Sequence, residues 1–212
     1  MLKLFFLENK FTQRIEDWGD YGDVLWSGFA DRDSSGSIFI ERAGPFTPDI
    51  YLTIDFLICT RKIEISLRQL QIKGIDFLPV KKKKIINVDW QKFPAGAEIY
   101  DVLLDMDEPD DLIIKLKNDG NLLALMPEYY AIRPKSNIKI RRIAPYQYKT
   151  RHSSVEAYDV GIEIGDIVRA DTHSGYFVTD RGRKILKSVG GNFLEFFPLK
   201  ATSKNLCRDA CG

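Results

Sequence analysis

Two stretches of this chain can be laid over one another, and that constrains its fold more than any other feature. The run "DFLICTRKIEISLRQLQIKGIDFLPVKK" matches "GYFVTDRGRKILKSVGGNFLEFFPLKA" with one single-residue gap. Phe56-Leu57-Ile58 meets Tyr176-Phe177-Val178, and Arg61 meets Arg181. At the far end Ile75-Asp76-Phe77-Leu78-Pro79-Val80-Lys81 meets Leu194-Glu195-Phe196-Phe197-Pro198-Leu199-Lys200. Each copy reads as a strand, a helix of about three turns, a glycine stop and a second strand. A single helix of this kind cannot bury its apolar stripe alone, whereas two copies can pack on a shared sheet. Two copies are too few for a solenoid, which needs about three or more. The proline after each aromatic pair predicts a strand that lies at an edge or bends. The fold class that follows is α+β, a mixed sheet with a duplicated strand–helix–strand unit. The expected organisation is one globular domain over 1–200, built of lobes at about 38–90 and 166–200, with 201–212 as a frayed tail.

Along the chain, residues 1–8 read as a strand, and 14–37 mix aromatics with Gly, Asp and Ser in the manner of turns. Residues 37–44 alternate as a strand, Pro45 and Pro48 force an extended connection, and 49–59 carry a further strand signal. The period then changes: Ile63, Leu67 and Leu70 share a helical face, with Thr60 as N-cap and Gly74 as the stop. Residues 75–90 alternate again as one or two strands, and 101–111 form an acidic loop. The stretch 112–132 fits helix or hairpin equally well.

Composition excludes several classes of function. With 44% hydrophobic and 12% aromatic residues in 212, the chain has apolar area enough for a packed interior. Thirty-one basic residues against 30 acidic give a net charge of +1, which argues against a dedicated nucleic-acid binder. Cys59 sits in an apolar run and reads as a small buried hydrophobe. Cys207 and Cys211 lie in the polar tail without a nearby histidine, a poor metal site, so no metal and no cofactor is expected. The N-terminal apolar stretch is too short for a secretion signal, and "IYLTIDFLICT", with Asp55 inside it, is too short for a membrane span. The expected location is the cytoplasm, with no membrane partner.

Few residues advertise chemistry. His152 stands beside Ser153 and Ser154, and Ser174, His173 and Asp171 could be drawn as a triad. Sequence neighbours rarely make that geometry, no G-x-S-x-G elbow is present, and turn chemistry explains the run. The acidic loop lacks the glycine and closing glutamate of a calcium loop, and Pro109 interrupts it. "VGGNF" follows a helix, whereas phosphate loops precede one. What remains is partner binding. Asp105, Asp107, Glu108, Asp110 and Asp111 form a negative patch suited to a basic protein. Trp18, Tyr21, Trp26, Tyr129 and Tyr130 are candidate interface anchors, with core plugging as the competing reading. The alternative function is an enzyme using an acid and His152 or His173 in a cleft between the repeats. The run Lys81–Lys84 reads as a solvated strand edge rather than a nucleic-acid grip, because the other copy has Lys-Ala-Thr-Ser-Lys there.

Two segments carry a resemblance. "ERAGPFTPDIYL" (41–52) resembles the form E-R-T-G-P-F-x-P-P-I, and the run from Phe56 to Trp90 resembles the continuation found with it, including G-x-x-F-x-P-V-x-K. A second such unit, Tyr176 to Leu199, follows. In these features the chain resembles small bacterial immunity proteins of polymorphic toxin systems. Ala43 stands where the pattern has Thr, and Asp49 where it has a second Pro. The paired Cys-x-x-Cys sites of some related proteins are absent, so zinc is not implied. The resemblance implies binding and neutralising a cognate toxin without catalysis. It implies no particular binding residues.

Overall fold

The computed structural model describes residues 3–10, 28–44, 48–88, 109–144, 155–158, 164–170 and 175–202. Before the first helix come β1 (Leu4–Asn9), β2 (Phe29–Arg32), β3 (Ile38–Gly44), β4 (Ile50–Leu52) and β5 (Leu57–Thr60). Then follow α1 (Arg61–Gln69), β6 (Ile75–Asn87), α2 (Pro109–Lys115), α3 (Gly120–Leu125), β7 (Tyr129–Pro134) and β8 (Asn137–Arg142). The described chain ends with β9 (Val155–Tyr158), β10 (Ile167–Ala170), β11 (Tyr176–Thr179), α4 (Asp180–Ser188) and β12 (Leu194–Thr202).

These elements form two compact units, and the fold is α+β with two curled mixed sheets. One unit comprises Asn9–Glu64 and Phe77–Ile132, and the other Met1–Glu8, Ile65–Asp76 and Arg133–Gly212. The first holds a six-stranded sheet in the order β4-β5-β7-β6-β3-β2. The second holds β10-β11-β1-β12-β9-β8, closed into a barrel by parallel pairing of β8 with β10. The pairing senses agree at the first, second, fourth and fifth junctions. The first and second strands are antiparallel in both. So are the second and third, and the fifth and sixth. The fourth and fifth are parallel in both. Each long crossover helix, α1 or α4, therefore joins strands separated by one neighbour, β7 in one sheet and β1 in the other.

The entry to each of these helices is built alike. The Thr60 N–H donates to the Asp49 carbonyl (2.9 Å), while the Thr60 hydroxyl and Lys62 Nζ donate to the Asp49 carboxylate (3.3 and 3.1 Å). In the barrel unit the Thr179 N–H donates to the Asp166 carbonyl (3.0 Å). There the Thr179 hydroxyl (3.4 Å) and Arg181 Nη1 donate to the Asp166 carboxylate. Lys62 and Arg181 thus make like contacts, each two residues after its threonine. Thr179 also caps α4, accepting from the Gly182 N–H at 3.1 Å. Glycine is needed at 182, because a Cβ there would lie 2.3 Å from the Asp166 carbonyl oxygen.

Asp166 is the busier of the two acids. It also accepts from the Lys73 N–H (2.7 Å), and Arg181 Nη2 donates to the Gln71 carbonyl (2.9 Å) just past the end of α1. The turn there passes through Gly74 at φ +72°, where a Cβ would come within 2.5 Å of the Gly165 Cα.

Several sequence expectations change in the folded chain. The 49–59 strand is a hairpin, β4 and β5, turned by the Thr53 hydroxyl accepting from the Phe56 N–H at 3.1 Å. The alternating run after Gly74 is one 13-residue strand, β6. Neither β6 nor β12 is an edge: β6 lies between β3 and β7, and β12 between β9 and β1. Proline is tolerated because pairing with the parallel neighbour begins beyond it, at Val80 after Pro79 and at Lys200 after Pro198. The stretch 112–132 resolves into α2, α3 and the start of β7. Asp110 and Asp111 belong to the first turn of α2 rather than to a loop. Pro109 opens that helix, where its missing N–H costs nothing, and acids favour the positive end of the helix dipole.

Each sheet wraps its own core. Ile38, Ile40, Tyr51, Ile58, Ile85, Ile86, Ile113 and Tyr129 fill the first. Leu4, Phe6, Ile138, Ile140, Val168 and Phe177 fill the barrel, with Phe6 and Phe177 edge to face at 5.1 Å. The outer edge of β4, which is buried, is met by one side chain: the Asn9 carboxamide donates to the Leu52 carbonyl (2.8 Å) and accepts from its N–H (2.7 Å). It imitates a ladder partner and leaves that edge less open to a foreign strand.

Candidate functional site

The four consecutive lysines alternate on β6, and both faces give them work. Lys82 and Lys84 are half-buried, and Lys81 and Lys83 are exposed. Lys82 Nζ donates to the Leu123 and Met126 carbonyls (2.8 and 2.7 Å), and Lys84 Nζ to the Ile114 carbonyl (2.5 Å). Two cations spaced two residues apart thereby satisfy the C-terminal carbonyls of α3 and α2, where the helix dipole is negative. On the other face Lys81 pairs with Asp33 (3.3 Å) and Lys83 with Glu41 (3.1 Å), with Lys83 also 4.2 Å from the Phe39 ring centre. The solvated-edge reading is corrected: the run fastens two short helices to an interior strand.

Asp33 sits at the centre of the β2–β3 turn, accepting from the Ser35 hydroxyl (2.5 Å) and from the N–H groups of Ser35 and Ser37 (2.9 Å each). Its carboxyl is held down from 3.8 to about 2, foremost by the Ser35 hydroxyl and then, against some desolvation, by the Ser37 N–H and Lys81. A depressed acid adds stability that is fully present above its unfolded pKa and lost as the pH falls through the folded one. The hairpin is therefore expected to loosen between pH 3.8 and about 2. A carboxyl NMR titration checks this: the Asp33 midpoint should lie near 2 and move towards 3.8 in Ser35→Ala.

Ile113 of α2 is buried and Leu112, Leu122 and Leu123 pack against the core, but other aliphatic residues of this segment face solvent. Ile114 is 63% exposed, Leu116 40% and Leu125 83%, while α3 (GNLLAL) has no buried residue at all. Lys82 and Lys84 lie about 7 Å apart on one face of β6, so that face holds both helix ends. Asp111 stands on the same helix as Ile114, half-exposed and paired with Lys115 at 3.2 Å.

The other expected partner residues divide. Tyr130 is half-buried, its hydroxyl accepting from Arg61 Nη1 at 3.0 Å with the guanidinium over its ring. Tyr129 is corrected from interface anchor to core residue: it is 1% exposed and packs edge to face with Tyr51 at 6.4 Å. On alternating β7 the two tyrosines must face opposite ways, so one faces inward. Trp18, Tyr21, Trp26, Asp105, Asp107 and Glu108 lie outside the described residues, as do His152, His173, Cys207 and Cys211. The side chain of Asp110 is likewise outside them.

Beneath Tyr129 the same unit holds a sealed polar centre that the sequence did not announce. Arg42 is 0% exposed, with its guanidinium 5.1 Å from the Tyr51 ring centre. Burial pushes the Tyr51 phenol up, with the Arg42 charge opposing it, and burial followed by Glu64 pushes the Cys59 thiol up. Both groups therefore stay protonated at neutral pH, and Cys59 is inert as a nucleophile. Among the described residues no group of three or more His, Cys, Asp or Glu could hold a metal ion, and no helix is long and apolar enough to cross a membrane. No protein-family model and no curated protein matches this chain.

Proposed function

We propose that this chain is a non-catalytic protein-binding module of the cytoplasm, an immunity protein that neutralises a cognate bacterial toxin. Its two sheets descend from one duplicated strand–helix–strand unit. The shared strand order and the matching Asp49–Thr60–Lys62 and Asp166–Thr179–Arg181 networks support the duplication. The sequence resemblance of residues 41–90 and 176–199 supports the immunity role.

The observation that carries the binding reading is the aliphatic face of α2 and α3, Ile114, Leu116 and Leu125, exposed beside Asp111. Clustered exposed aliphatics mark interaction surfaces. The unit bearing them has 13 basic and 20 acidic residues, so the complementary toxin surface is apolar at its centre and basic at its rim. The toxin domain encoded beside this chain is the partner to test, by co-expression and growth protection. Leu125→Glu with Ile114→Glu is expected to abolish protection while thermal stability holds, because both side chains are already in solvent. Full protection by that variant would sink this assignment of the face.

A further inference from the structure

We draw no further inference here: the strongest candidate, the Asp49–Lys62 pair at the entry to α1, repeats the Asp166–Arg181 pair that holds the turn after α1, but nothing in the structure shows what would cover it.

Discussion

Arg42→Ala is expected to cost about 4 kcal/mol of folding stability, the largest loss from any single side chain in the acidic unit. Arg42 is 0% exposed, so its removal leaves a cavity the size of a long side chain in a core of Ile40, Tyr51 and Tyr129. It also removes the cation held 5.1 Å from the Tyr51 ring centre. Both losses act in a desolvated place, where an unmet polar group is costly. Arg42→Lys is expected to recover only a minor part, since an ammonium lacks the planar face that stacks on the ring. Arg42→Met separates the two effects by keeping most of the volume. A methionine variant as unstable as the alanine one would show that charge, not packing, dominates. Urea midpoints of the three variants decide it.

The second large effect concerns Asp166, for which Asp49 is a built-in control. Asp166→Ala is expected to cost about 3 kcal/mol and Asp49→Ala about 1 kcal/mol. Their local hydrogen bonds are alike, but their surroundings differ. The Asp166 side chain is 7% exposed, and it meets Arg181, the Thr179 hydroxyl and the Lys73 N–H together. The Asp49 side chain is 37% exposed and its partner Lys62 76%, so water can replace the lost contacts. Removing Asp166 strands a backbone N–H at the end of the α1 turn, whereas removing Asp49 takes from the buried Thr60 hydroxyl only a 3.3 Å acceptor. Thermal melts of both variants check the ranking, and equal losses would contradict it. Arg181→Ala should fall between them, because it gives up the ion pair and the Gln71 carbonyl but leaves Asp166 in place.

Much of the local architecture was legible in the residues. The change of period after Thr60, the stop near Gly74 and the matched motif around Tyr176 correspond to α1, its ending turn and β11 with α4. Cys59 is buried, as its apolar neighbours suggest. Less legible was the helix pair after Pro109, because "LIIK" and "NLLAL" are short, mostly apolar runs that suit a helix or a strand equally. The two tyrosines of β7 looked equivalent in sequence, yet alternation sends Tyr129 into the core and leaves Tyr130 under Arg61.

What the sequence determined by itself was the set of elements whose signals lie within one turn or one strand: hydrophobic period, caps, glycine stops and the echo of one segment in another. These depend on neighbours a few residues apart, and such neighbours are fixed by the chain. Only the tertiary structure decided what the charges do. Lys81 finds Asp33, Lys82 finds the end of α3 and Lys84 the end of α2, across 48, 41 and 30 positions respectively. The chain's near-zero charge resolves into an acidic unit and a basic barrel because distant segments are gathered into each. A charge acts over several ångströms of space and not along the chain, so its role becomes readable only once the folded neighbours are in place.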